Sequence, residues 1–376
     1  MKSIGFNKKN FNQDIFKNVE QVLRSGWLTH GKYTSLFERE FSNYVNSKYA
    51  VTVSSCTAAL HLSCIASGFS KGDEVIVPSM THVATAHAVE YTGAKPIFAD
   101  INLYDGNINF DEIKKKVNNK TKGIIVVHMA GLVCDMKKIK SFCKKRNIKI
   151  IEDCAHAVGS KFENISAGNF GISGCFSFYP TKQITTGEGG MLTTNNYSFY
   201  KKIKQLKAFG IDKDIDKRKK QGTYNVLSLG YNYRMTDFQA AMGYSQILNY
   251  KKNLKHRKKI AGIYYKILSK NTKIMLPKLD AGSSYFIFQI FLKKKIRDKV
   301  LNFFKNNKIG VSIHYAKPIP GMFYYKKKYK LNLSNYKNSK IYSDTNISLP
   351  ISENISKEQV KYICKILLEA IKIYDR

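Results

Sequence analysis

The segment FSFYPTKQITTGEGG, residues 176–190, places one lysine, Lys182, just past a short apolar run and ahead of a loop of small residues. Most lysines of this chain sit among other polar residues on helix-like segments, whereas Lys182 lies between Pro180 and a turn. An amine held at a strand end, away from other charges, is open to desolvation. That lowers its pKa and makes it a nucleophile toward a carbonyl, with a Schiff base as the product. Taken alone, an ordinary surface lysine after a strand has the same appearance, so the neighbouring motifs carry the weight.

Three other groups follow apolar runs in the same way. Ser54-Ser55-Cys56-Thr57-Ala58-Ala59-Leu60 passes directly from strand to helix. Its amides and hydroxyls suit a phosphate, although a plain Ser/Thr cap accounts for the same residues. Pro78-Ser79-Met80-Thr81-His82 brings the imidazole of His82 to a strand end, where it either lies on a planar ring or is a satisfied structural histidine. In Ile151-Glu152-Asp153-Cys154-Ala155-His156, Asp153 ends an apolar run, an expensive place for a carboxylate without a cationic partner. A pyridinium nitrogen would be such a partner. With Ser177 on the approach to Lys182, the set comprises an amine, an acid, a stacking ring and a phosphate cradle. Those are the needs of pyridoxal phosphate, and their joint occurrence in this order is more specific than any single member.

The elements that must position these residues can be read from periodicity. Apolar runs occupy residues 49–53, 74–78, 95–99, 123–127, 148–152, 175–179 and 191–194, with helix-length segments such as 57–67 and 136–146 between several of them. Unbroken apolar strands alternating with helices predict a mostly parallel sheet covered on both faces, whose ligands bind beyond the carboxyl ends of the strands. After residue 245 the pattern changes. A long basic helix is expected over 235–268, then strand-like SYFIFQIFL and GVSIHY, then a closing helix over 357–374. The expectation is an α/β protein with a large domain at 1–245 and a smaller α+β domain at 246–376.

At 376 residues the chain suits two packed domains. It has no uncharged apolar stretch long enough for a membrane span, and its start shows no apolar signal core, which points to the cytoplasm. Seven cysteines without CxxC spacing read as buried thiols rather than as disulfides or a zinc site. The net charge of +36 invites a nucleic-acid function. The excess is nearly all lysine, however, and comes with abundant Asn, Ile and Tyr, as A/T-rich codons would produce. Short runs at 114–116, 217–220, 293–295 and 326–328 carry no recognition motif. A field that attracts an anionic small substrate is expected instead.

The chain resembles the DegT/DnrJ/StrS pyridoxal-phosphate aminotransferases of nucleotide-linked keto-sugars, within the aspartate-aminotransferase fold (type I). The resemblance covers residues 23–367 and rests on SGWLTHG at 25–31, SSCTAALHL at 54–62 and GDEVIVPSMTHVATAHAV at 72–89. It continues through IEDCAHAVG at 151–159, the Lys182 segment, GYNYRMTDFQAAMG at 230–243 and SLP at 348–350. It implies a seven-stranded sheet, a homodimer with shared active sites, and glutamate as donor, released as 2-oxoglutarate. By the same resemblance Lys182 carries the cofactor and moves the proton, Asp153 pairs with the ring nitrogen, His156 lies by the phenolic oxygen and His82 stacks on the ring. Thr57, the Cys56 backbone and Ser177 would hold the phosphate, and Asn232 would reach the phosphate of the neighbouring subunit. Arg234 is a candidate for the substrate diphosphate, and His314 and Tyr315 for the sugar. Cys56 stands where the family usually has glycine, His82 replaces a carbocyclic ring, and Gln183 replaces a common Asn. Two rival readings are a pyridoxamine-phosphate sugar dehydratase, which carries histidine in place of Lys182, and a non-catalytic regulator or nucleic-acid binder of the same fold.

Overall fold

A computed structural model describes residues 3–7, 9–212, 220 and 222–375. Part of the 217–220 basic run, residues 217–219, lies outside the described residues. The strands are β1 (Tyr49–Val53), β2 (Glu74–Pro78), β3 (Lys95–Ala99), β4 (Thr121–Val127), β5 (Lys149–Asp153), β6 (Lys161–Phe162), β7 (Ile165–Ser166), β8 (Ser173–Ser177), β9 (Gly190–Thr194), β10 (Phe288–Phe291) and β11 (Asn346–Leu349). The helices are α1 (Gln13–Ser25), α2 (Lys32–Val45), α3 (Cys56–Ala66), α4 (Val83–Glu90), α5 (Phe110–Lys116), α6 (Met136–Lys144), α7 (Tyr197–Leu206), α8 (Asp237–Leu268), α9 (Lys294–Asn306), α10 (Phe323–Lys328), α11 (Lys337–Thr345) and α12 (Lys357–Tyr374).

Seven strands form one sheet in the order β1-β9-β8-β5-β4-β2-β3. Only the pairings of β9, with β1 and with β8, are antiparallel. Successive residues of each strand point to opposite faces, and both faces are apolar. Ile124 and Val126 of β4 join the core under α2 and α8, while Ile125 joins the core under α3 and α4. This double burial explains why the strands read as unbroken apolar runs. It also leaves the strand ends as the places where polar side chains meet a cavity.

One buried polar pair anchors that end of the sheet. Glu152 is fully buried, yet its carboxylate accepts the amides of Gly168 (2.7 Å), Phe170 (2.7 Å) and Gly171 (2.8 Å) and faces His128 Nε2 at 3.0 Å. With Cys154, these groups place three potential metal donors within 4.8 Å of one another. The backbone donors already saturate the carboxylate, so the cluster is a structural tie that fixes the strand carrying Asp153.

A separate core packs the second half of α8 (Ile260, Tyr264, Leu268) against β10, β11, α9 and α12, and Ile4 from the other end of the chain joins it. The closing helix has its expected bounds, capped by Ser356 with Gln359. Two expectations shift. The run at 175–179 is displaced to β8 at Ser173–Ser177, because small Ser173 and Gly174 pair with β5, while past Ser177 the Phe178 amide keeps a single bond in the same register, to Gly189 O. GVSIHY forms no strand. The Gly310 amide bonds Ile4 O and Ser312 forms a bridge with Ser348, after which an Asn346 side chain takes the His314 amide.

Candidate active site

The carboxyl ends of β1, β2, β5 and β8 open into a cavity of about 440 Å³. Cys56, Thr57, His82, Asp153, His156, Ser177, Lys182, His314 and Tyr315 all line it, so nine residues singled out from sequence converge on one space.

The cradle at one end begins with Ser55, whose hydroxyl caps α3 by accepting the Ala58 amide at 3.0 Å. The amides of Cys56 and Thr57, at the first two positions of the helix, have no intrahelical acceptor and face the cavity end of the dipole. β9 passes so close that a Cβ on Gly190 would lie 2.5 Å from Ser55 C and 2.7 Å from Cys56 N. Gly190→Ala is therefore expected to cost about 1–3 kcal/mol of stability through overpacking. It should also weaken cofactor binding at least tenfold, read by denaturant unfolding and by titration of the unloaded protein. The Cys56 side chain points away from this cradle: Sγ sits 3.4 Å from Cys175 O and 4.0 Å from Asp153 Oδ1. Its thiol, like those of Cys154 and Cys175, is pushed well up by burial. All seven cysteines are free and buried.

Asp153 is 4% exposed and held at both oxygens. Thr85 Oγ1 donates to Oδ2 at 2.8 Å and the Ala155 amide to Oδ1 at 3.1 Å, while Thr81 lies 3.0 Å from Thr85. Thr85 was not singled out from sequence. The available signal was its helical spacing from Thr81 on the segment that carries His82.

His156 is buried against Phe286, ring on ring at 4.3 Å, and its Nε2 lies 3.3 Å from Tyr315 Oη. Its Nδ1 has no partner among the described residues. Burial, with Lys182 adding to it, holds the imidazole far below its usual pKa. A buried ring nitrogen without a partner, beside a cavity with open helix amides and an acid at its floor, fits a polar aromatic phosphate.

Lys182 also lies over Phe286, with Nζ 4.6 Å from the ring centroid. Burial lowers its pKa from 10.5 to about 8, against a partial pull upward by Asp153. The folded value lies below the unfolded one, so between pH 8 and 10.5 the unfolded chain binds more protons. The stability penalty from this amine is complete below pH 8 and is relieved as pH rises through that window. Labelling of Lys182 in the unloaded protein, followed by mass spectrometry, is expected to show a midpoint near pH 8; one near 10.5 would refute the desolvation.

His82 sits at the exposed lip, where its Nδ1 accepts the Ala84 amide at 3.2 Å and caps α4. His314 stacks on Phe6, and burial lowers its pKa to about 4. Asn232 and Arg234 do not reach the cavity of their own chain. Arg234 Nε donates to Asn232 Oδ1 at 3.0 Å, and its guanidinium lies 5.0 Å from the Phe209 ring centroid.

The sequence and the structure were compared with known proteins. Residues 9–368 match the DegT/DnrJ/EryC1/StrS aminotransferase family. The chain belongs to that family. It is 36% identical over 352 residues to the GDP-perosamine synthase of Escherichia coli O157:H7, covering 93% of this chain and 94% of that one. Its fold matches Helicobacter pylori PseC, an aminotransferase involved in the biosynthesis of pseudoaminic acid, with a TM-score of 0.92 at 29% identity over 99% of this chain and all of that one. It also matches the PLP form of Spr1654 from Streptococcus pneumoniae, with a TM-score of 0.91 at 28% identity and 99% of each chain covered. This family member is a pyridoxal-phosphate-dependent aminotransferase of nucleotide-linked sugars that serves amino-sugar biosynthesis. No helix among the described residues is long and apolar enough to cross a membrane.

Proposed function

We propose that this enzyme moves an amino group from glutamate to the keto group of a hexose carried by UDP, dTDP or GDP, with Lys182 as the cofactor lysine. The observation that carries the assignment is the convergence of Lys182, Asp153, His156 and the α3 N-terminus on one cavity. When bound, pyridoxal phosphate supplies an electron sink for the bond broken at the amine-bearing carbon. Lys182 would hold the cofactor aldehyde, and its amine, once free of it, would take up and return a proton; in the unloaded protein its pKa of about 8 keeps both forms within reach near neutral pH. Asp153 keeps the ring nitrogen protonated. His156 donates toward the phenolic oxygen from its open Nδ1. The amides of Cys56 and Thr57, with Ser177, hold the phosphate. His82 stacks on the ring from the lip, and His314 and Tyr315 shape the sugar end.

Asn232 and Arg234 act across a two-fold homodimer interface, Asn232 on the neighbouring phosphate and Arg234 on the substrate diphosphate. Support comes from the exposed apolar surface beside them: Leu23, Trp27, Phe209, Leu227 and Leu229 are 57, 55, 44, 62 and 83% exposed. Thr29–Thr236, Ala208–Asn232 and Ile211–Val226 bridges draw these segments together. Large apolar side chains exposed on such joined segments suit a partner surface. Sedimentation equilibrium is expected to give twice the 42.9 kDa chain mass, and Leu229→Glu to give the monomer.

We read residues 1–245 as the large cofactor-binding domain and 246–376 as the small one. The two cores meet along α8, with Tyr250 in one and Ile260 in the other. Seven free thiols suit the reducing cytoplasm. The function is tested by incubating the holoenzyme with glutamate and each nucleotide keto-hexose in turn. One 2-oxoglutarate per amino sugar formed is the expected stoichiometry. Deoxygenation of the sugar without amine transfer would overturn the assignment.

A further inference from the structure

The loop bearing Lys182 has no regular secondary structure, and its position is set from outside. Asn7 Nδ2 donates to Thr181 O and Lys9 Nζ to Gln183 O at 3.0 Å, so the carbonyls on either side of Lys182 are both held by the first residues of the chain, 174 positions away. Lys9 is nearly buried, with 10% of its side chain exposed, and its ammonium lies 3.7 Å from Glu353 Oε1. The other oxygen of Glu353 accepts from Arg257 Nη2 at 3.4 Å. Arg257 is 1% exposed, and its Nη1 donates to Ile351 O (2.7 Å) and reaches Phe286 O and Tyr285 O, each at 3.4 Å. Phe286 is the ring that lies under both Lys182 and His156.

One carboxylate thus joins two buried cations, one gripping the backbone next to Lys182 and the other the backbone of Phe286. Burying three charges is costly, and hydrophobic replacements would stabilise a protein at least as well. Their value here lies in geometry: a charged hydrogen bond to a main-chain carbonyl fixes direction as well as distance. Resting on the assignment of Lys182 as the cofactor lysine, we propose that Lys9, Glu353 and Arg257 form a positioning triad that sets Lys182 and Phe286 relative to each other. The N-terminal segment then belongs to the active-site machinery. Burial brings the Lys9 pKa down to about 8, with Glu353 opposing, so the carboxylate keeps this cation charged near neutral pH.

The test is the rate at which Lys182 captures pyridoxal phosphate in the unloaded full-length protein, trapped by cyanoborohydride and located by mass spectrometry per folded molecule. Lys9→Met and Glu353→Gln are each expected to slow capture about tenfold and to lower kcat by a similar factor, with KM for glutamate within twofold, because displacement of a reacting group by a fraction of an ångström has effects of that order. Lys9→Arg should recover most of both. Glu353→Asp keeps the charge and withdraws it by one methylene, giving the same comparison in a chain with little loss of stability. Capture and kcat within twofold of wild type in the folded variants, whatever their melting temperature, would overturn the triad. Wild-type protein that captures no cofactor at Lys182 would instead remove the assignment of Lys182 itself.

Discussion

Lys182→Ala is expected to lower amine transfer by at least about 10⁴-fold while leaving the fold intact. In its proposed role the amine does two jobs, covalent attachment and proton movement, and general acid–base catalysis alone contributes up to about 10⁴. The side chain lies at the cavity wall, and its truncation leaves no buried partner stranded, because Asp153 retains Thr85 and the Ala155 amide. The melting temperature of the unloaded protein should therefore hold or rise, since a desolvated amine has been removed. Steady-state turnover with glutamate and a nucleotide keto-sugar, together with a thermal melt, checks both halves. Turnover within tenfold of wild type would mean that another group carries the proton.

Asp153→Asn is expected to reduce turnover by about 10²–10³-fold, the order seen when a preorganised electrostatic partner is lost. The amide is isosteric: its Oδ1 can still accept from the Ala155 amide while its Nδ2 donates to Thr85 Oγ1, whose own hydrogen turns to Thr81, so the site should keep its shape. What it loses is the negative charge, which pulls the Lys182 pKa upward and, in the proposed role, stabilises a protonated ring nitrogen. The variant should accordingly bind the cofactor, with the Lys182 labelling midpoint falling below pH 8. A pH–rate profile and labelling of the unloaded variant read these effects separately. Unchanged turnover would show that the ring nitrogen works unprotonated.

The strand ends were the most legible part of the sequence. Doubly buried strands such as β4 and β5 are short, mostly apolar runs, so a carboxylate at the end of one, as Asp153 is, stands out as a candidate for the site. α12 was legible at both ends because Ser356 and Gln359 announce its start. β8 was misplaced by two residues because Phe178 and Tyr179 extend the apolar run, although the pairing with β5 involves Ser173 and Gly174. GVSIHY has strand composition, yet His314 and Tyr315 are diverted to line the cavity. Thr85, Phe286 and Lys9 were missed for a common reason. Each acts on a residue 68 to 174 positions away (Asp153, His156 and Gln183 respectively), through contacts that only the folded chain creates. Lys9 was further hidden among the 63 lysines and arginines.

The central claim, that Lys182 carries a cofactor which shuttles an amine between glutamate and a sugar, is tested most directly by near-ultraviolet and visible absorbance of the loaded protein. Glutamate should convert the lysine-bound cofactor band to that of the amine form, and an accepted nucleotide keto-sugar should restore it; Lys182→Ala should lack the first band. A wild-type spectrum that shows no lysine-bound band, or one that glutamate leaves unchanged, would contradict the account.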